Sequence, residues 1–480
     1  MLALLMVILP LLFAAAAPIL RKRPLALYSL LPATGVSLCL VLVAGLLYPE
    51  QDLFCLYLGG TPILAVDAVN RFFLQLIAGL FLVISIYTFF WLPAAQEHNP
   101  PRTPGTRTMH RYLFVLFMLV FVSMMNLSIL SAHFGLLWVA IEASTLASAP
   151  LILFHCSEAS LEAMWKYLLL CSIGIGLALF GILLLAFAGK ISACPPASLG
   201  FADLSAPGVI FHPVWFKIGF VFCLVGFGTK MGLAPFHSWM PDAYSEAPAP
   251  VLALLSGALL NCCLLAVMRT LNLAPEAVLP FCRTLLTILG MLSVLVAAFL
   301  IIRQKDFKRM LAYSSIEHMG LCALLLCYCQ AALSTHVIAH AICKMMLFLL
   351  AGNILLAYDT HRINSVTGMF STLPRTACLW LFGLFAICGT PPSPLFVTEY
   401  LLVTTLPPLL AILLLVLLFI VFAGMSYACL SMTMGTPAPD CHERQTAQAA
   451  AEQLTIVPGA AALGLLILGY ITVLWMKQLL

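Results

Sequence analysis

The chain has 480 residues, 63% of them apolar and only 8% charged, with a formal net charge of +4. A soluble domain carries roughly 25% charged residues, so this composition excludes a water-soluble globular protein. The solvent for most of the chain is lipid.

A spanning helix needs about 20 mostly apolar residues. Such runs fall at 1–20, 25–47, 66–94, 112–131, 134–154, 164–188, 214–240, 249–271, 279–302, 310–329, 332–357, 376–404, 406–433 and 455–476. A membrane barrel would instead show alternating segments of about ten residues. These runs are longer and apolar on all sides, so helix is the form that satisfies their backbone in lipid. The first run is followed, not preceded, by Arg21, Lys22 and Arg23, the reverse of a secretory signal, and reads as a permanent first helix. The expectation is an all-α polytopic membrane protein of about 14 transmembrane helices.

Loops after odd-numbered runs hold 14 of the 22 Lys and Arg residues, whereas loops after even-numbered runs, with adjoining helix ends, hold five. Positive charge marks the cytoplasmic side, which predicts both termini on the periplasmic side of the cell inner membrane. The longest polar stretch is 434–454. No soluble domain is expected, so any work is done in the membrane or through partners.

Of the 17 cysteines most lie within apolar runs, as do Cys171, Cys223, Cys262, Cys263 and Cys343. Zinc and iron–sulfur sites need tight groupings such as C-x-x-C, and only the Cys262–Cys263 pair and Cys327-Tyr-Cys329 stand close together. Cysteine is read here as a small hydrophobe. No metal, cofactor, catalytic residue or nucleic-acid partner is expected.

Glu142, Lys230, Lys344 and Glu399 fall inside apolar runs. A charge at the centre of a spanning helix costs roughly 2.5–3.5 kcal/mol on insertion scales. The bland account is snorkelling to the headgroups, which suits a long lysine such as Lys230 better than the short stem of Glu142. The seventh run carries Pro235 and Pro241, the twelfth Pro391, Pro392 and Pro394. Proline removes a backbone N–H, and broken helices are tolerated where they line a buried polar cavity. Each break lies close to a buried charge, Lys230 or Glu399. Broken helices at matching places point to a transporter built from inverted repeats. Runs 4–8 and 9–13 would then form two inverted five-helix repeats. The expected domains are 1–111 (helices 1–3), 112–271 and 278–433 (the repeats), and 434–480 (polar loop and last helix).

His336, His340 and Lys344 recur every four residues, which places them on one helix face over about 12 Å at 1.5 Å per residue. Two histidines at this spacing can hold a metal. A lysine next in line would repel a cation, and a proton relay suits imidazole better, with purely structural histidines as the other reading. His237 and His318 lie near helix breaks or ends, where water often satisfies a histidine, and both readings stand for them.

The stretches GTKMGLAPFHSWMPDAYSEAPAPVLALLSG, KRMLAYSSIEHMG, HAICKMMLFLLAG and GTPPSPLFVTEYLL resemble the antiporter-like subunits of respiratory complex I, Mrp antiporters and membrane-bound hydrogenases, over about 110–430. The resemblance implies a fourteen-helix fold with a central hydrophilic axis for protons. It also implies an ion pair between Glu142 and Lys230, a connecting role for His336, His340 and Lys344, and a terminal role for Glu399. Asn261 stands where several complex I subunits have a lysine or histidine. That asparagine, SEAPAP and YSSIEHMG look most like the hydrogenase-4 component F branch, found beside nickel–iron hydrogenases and in formate hydrogenlyase-type complexes.

The expected function is therefore a proton-translocating, non-catalytic subunit of such a redox complex, whose partners are other membrane subunits and a peripheral redox arm. Glu142 would control the proton on Lys230, which releases it toward Lys344 and Glu399. The alternatives are a stand-alone or Mrp-type Na⁺/H⁺ antiporter subunit, and a structural membrane anchor for a peripheral oxidoreductase.

Overall fold

The computed structural model describes residues 2–47, 56–58, 61–98, 104–191, 195–436 and 445–479. Arg102 and Arg444 of the charge count, and 437–444 of the expected polar loop, lie outside them. The protein is a multi-span membrane protein: 13 helices among the described residues are long and apolar enough to cross a bilayer.

The helices are α1 (Leu2–Leu20), α2 (Pro24–Leu47), α3 (Ala68–His98), α4 (Pro104–Leu130), α5 (Phe134–Ile152), α6 (Glu158–Lys190) and the short α7 (Phe201–Leu204). Then come α8 (Pro213–Met231), α9 (Trp239–Glu246), α10 (Ala249–Leu254), α11 (Leu260–Asn272), α12 (Leu279–Ile301), α13 (Phe307–Tyr328) and α14 (Gln330–Tyr358). The last are α15 (Met369–Thr372), α16 (Pro374–Ile387), α17 (Pro394–Thr405), α18 (Pro408–Thr433), α19 (Gln445–Gln453) and α20 (Ile456–Leu479). A small antiparallel hairpin, β1 (Leu56–Leu58) with β2 (Thr61–Leu64), precedes α3.

The twelfth apolar run is absent from the 13 spans because it is two short helices, α16 and α17. The seventh run is likewise interrupted, as α8 ends at Gly232 with φ of 83°, a left-handed C-cap that glycine adopts without strain. Not every proline marks a break. Pro235 lies between α8 and α9, and Pro391 and Pro392 between α16 and α17. Pro241 is instead the third residue of α9, and Pro394 the first of α17, where a missing N–H costs nothing because the first turn has no acceptor for it. Between α10 and α11 the helix passes through a π turn, Leu255–Leu259, which the apolar pattern did not signal.

The chain divides into two compact units. The first comprises Met1–Leu82, Thr103–Gly232 and Ala258–Leu286. Its central contact is α6 against α8. Tyr167, Gly174 and Gly181 are seven residues apart on α6, two turns per step, and so share one face. Gly219 and Gly226 of α8 meet that face, with Gly226 against the Gly174 carbonyl and Gly219 against the Gly181 carbonyl. A Cβ on Gly181 or Gly226 would overlap opposing backbone, so these glycines let two helices approach at backbone distance.

The second unit comprises Val83–Arg102, Leu233–Gly257 and Thr287–Leu480. It is built around α13 and α14, both almost wholly buried. Tyr87 donates to the carbonyl of Leu349 at 3.0 Å and bonds the Asn353 side chain at 2.8 Å, which ties the end of α3 to α14. The α20 helix reaches the α16–α17 break at Gly469, which faces the Pro392 carbonyl. Asp306 caps α13 through the amides of Lys308 and Arg309. The same carboxylate accepts from Ser245 at 2.6 Å, and Arg309 pairs with Asp242, fastening α9 to α13.

Candidate proton-handling clusters

Lys230 is the penultimate residue of α8 and fully buried. The glycine-set register of α6 and α8 brings Tyr167 to it. The ammonium nitrogen donates to the Tyr167 hydroxyl at 2.7 Å and to Thr145 Oγ1 of α5 at 2.6 Å, and it lies 4.5 Å from the Tyr167 ring centroid. Tyr167 in turn shares a 2.7 Å hydrogen bond with Ser148. Each of these hydroxyls both donates and accepts. The cradle can therefore satisfy an ammonium or a neutral amine, which a carboxylate, able only to accept, cannot do.

Glu142 does not form the ion pair expected of it. It is only partly buried, and its Oε1 accepts from Ser172 of α6 at 2.5 Å. Its other oxygen has no hydrogen-bond partner among the described residues. The reason is local. Glu142 and Thr145 are three residues apart on α5, about one turn, and Lys230 reaches Thr145, the nearer step of that ladder. Asn261, buried on α11, belongs to the same unit. The sequence reading missed Thr145, Ser148, Tyr167 and Ser172. Polar residues at i, i+3 and i+6 of α5 (Glu142, Thr145 and Ser148), and the small-residue ladder of α6, were the available signals.

In the second unit His318, His336, His340 and Lys344 are all fully buried. His318 Nδ1 lies 3.2 Å from His336 Nε2, and His318 Nε2 lies 3.0 Å from the carbonyl of Ile387. That carbonyl is free because its i+4 partner in the helix would be the amide of Pro391, which proline lacks. The proline break thus supplies the acceptor that fixes His318. His336 Nδ1 meets Thr398 Oγ1 at 2.8 Å. His340 lies with its ring centroid 4.9 Å from that of His318, and neither of its ring nitrogens has a hydrogen-bond partner among the described residues.

Lys344 donates to the Leu311 carbonyl of α13 at 2.8 Å. Glu317, on the same helix as Leu311, is 3% exposed and interacts electrostatically with Lys344 and with Glu399. Like Glu142, Glu317 is a carboxylate within an apolar run, a signal that its place in YSSIEHMG already carries. Glu399 is buried on α17, its carboxylate against Gly389, whose φ is 63°. His237 is partly buried in the link before α9, 6.4 Å from the Tyr313 ring by centroid, and its Nδ1 has no hydrogen-bond partner among the described residues.

The chain as a whole is similar to known proteins. The family described as NADH:quinone oxidoreductase/Mrp antiporter, transmembrane, matches residues 131–426. The chain belongs to that family. This antiporter-like membrane subunit is 34% identical over 391 residues to a hydrogenase-4 component F homolog of Methylacidiphilum infernorum (isolate V4), covering 78% of this chain and 80% of the relative. Its fold matches a chain of the archaeal membrane-bound sulfane sulfur reductase with a TM-score of 0.78 at 21% identity, covering 98% of this chain and 96% of the other. It also matches a chain of respiratory complex I from Thermus thermophilus with a TM-score of 0.71 at 25% identity, over 97% and 96% of the two chains.

Proposed function

We propose that this antiporter-like subunit carries protons across the cell inner membrane, driven by an attached redox enzyme of hydrogenase-4 or formate hydrogenlyase type. The observation that carries the reading is Lys230, a fully buried lysine held by two hydroxyls and an aromatic face. An ionisable group within a membrane span marks an ion pathway, and this cradle accommodates both states that a proton carrier must visit. From Lys230 a hydroxyl chain continues through Tyr167 to Ser148. In the second unit the histidine cluster, Lys344, Glu317 and Glu399 handle the same proton. Hydroxyl links and rings are the groups that pass protons, because each can donate and accept.

Glu142 acts from α5, one turn before the Thr145 that holds the lysine. Its negative charge favours the ammonium form when near and releases it when screened or displaced, with Ser172 holding one position of the carboxylate. No redox chemistry is assigned to this subunit. A peripheral redox arm and neighbouring membrane subunits deliver the electrostatic change, and the two inverted five-helix repeats of runs 4–8 and 9–13 supply half-channels to opposite faces. Support for the hydrogenase-type partner is the likeness to the hydrogenase-4 component F homolog.

The test is redox-linked proton uptake by the reconstituted complex carrying Lys230→Ala. Uptake is expected to fall by roughly a hundredfold while electron transfer persists, and unchanged uptake contradicts the proposal. Running the assay without sodium distinguishes proton carriage from sodium exchange: uptake that requires sodium favours a Na⁺/H⁺ antiporter.

A further inference from the structure

Thr398 lies on α17, one residue before Glu399, and is 1% exposed. Its hydroxyl has a single proton and two places for it: Leu395 O at 2.9 Å and His336 Nδ1 at 2.8 Å. The far end of the histidine pair is fixed. A carbonyl only accepts, so His318 Nε2 must carry the hydrogen that meets Ile387. In a neutral ring the other nitrogen is then a bare acceptor. His318 Nδ1 consequently accepts from His336 Nε2, and a neutral His336 is left with a bare Nδ1 that must accept from Thr398. All protons of the neutral pair point one way, from Thr398 toward Ile387.

The other setting of the hydroxyl has a definite consequence. With the Thr398 proton turned to Leu395 O, only an oxygen lone pair faces His336 Nδ1. Two lone pairs would then oppose each other unless that nitrogen carries a proton. If it does, His336 has hydrogens on both nitrogens and the pair holds one extra proton as a cation. The orientation of one hydroxyl is thereby tied to the proton occupancy of two buried rings.

We propose that Thr398 is a two-position hydroxyl switch that closes or opens Nδ1 of His336 to a transported proton. Resting on the proton-carriage reading above, this names the element that regulates entry to the same cluster. In the closed setting the Thr398 hydroxyl occupies the nitrogen lone pair. In passing to the open setting the Thr398 hydroxyl hands its own proton to His336 Nδ1, a hydronium replaces that proton on the oxygen and departs as water, and the renewed O–H turns to Leu395 O while the oxygen accepts from the new N–H. The charge is shared along the His336–His318 hydrogen bond. Thr398 is a positioning residue, and because it adjoins Glu399 on α17 any shift of that helix moves the switch with it.

The experiment is nitrogen NMR of the full chain in its complex in lipid, with ¹⁵N-labelled histidine, assigned through His336→Gln and His318→Gln. The neutral wild-type pair is expected to show hydrogen on Nε2 of both rings, and a neutral His336 with hydrogen on Nδ1 overturns the proposal. The second arm compares proton transport. Thr398→Val keeps the side-chain volume without the hydroxyl and should lower the rate by roughly tenfold, the scale of one lost buried hydrogen bond. Thr398→Ser, which keeps the hydroxyl, should stay within about twofold by the same reasoning. A Thr398→Val rate equal to wild type, or a Thr398→Ser loss as large as that of valine, contradicts the switch. The NMR arm reads the rings without transport, so a failure of the proton-carriage reading, seen as normal pumping in Lys230→Ala, is separable from a failure of the switch.

Discussion

Gly389 shows how a single backbone position can govern a charged side chain. Its φ of 63° lies in the left-handed region, and a Cβ there would collide with the Glu399 carboxylate. Gly389→Ala should therefore cost about 1–2 kcal/mol from the backbone alone and push the carboxylate from its seat. Proton transport in proteoliposomes should fall as far as it does in Glu399→Gln, with a modestly lowered melting temperature. Wild-type transport in Gly389→Ala would show that the seat of Glu399 does not matter. Some of this chemistry was legible in the sequence. The four-residue recurrence of His336, His340 and Lys344 needs only helical geometry, and a charge in an apolar run announces itself. The partners were not legible, because Thr145, Tyr167 and Thr398 are ordinary helix residues until another helix brings a charge to them. The expected Glu142–Lys230 pair gave way to hydroxyl bonds for the same reason: spacing along the chain says nothing about which side of α5 faces α8.

Among the elements, the apolar runs located the spans because lipid leaves helix as the one open form for them. The interruptions of the seventh and twelfth runs were also readable from their prolines. What the prolines did not reveal was where each break falls. Gly232 ends α8 before Pro235 is reached, and Pro241 sits harmlessly in the first turn of α9. The π turn at Leu255–Leu259 carries no proline at all. Loop charge adds a prediction about the direction of these helices. A reporter active only in the cytoplasm, fused after Leu480, should stay dark, and a bright signal would reverse the orientation inferred from positive charge.

At the level of the whole molecule, each compact unit has its own buried cluster: Lys230 with its hydroxyl cradle in the first, and Lys344 with three histidines and two carboxylates in the second. Neither unit offers a thiolate or metal grouping among the described residues, and the family assignment rests on a match across 131–426, a range that includes both clusters. On the proposed reading the two clusters handle the transported proton in series. The most direct test is the ratio of protons moved to electrons transferred by the purified complex in liposomes, measured for Lys344→Ala beside Lys230→Ala. Series operation predicts that either substitution alone lowers the ratio by the same amount, with electron transfer continuing. An unchanged ratio in Lys344→Ala would contradict it.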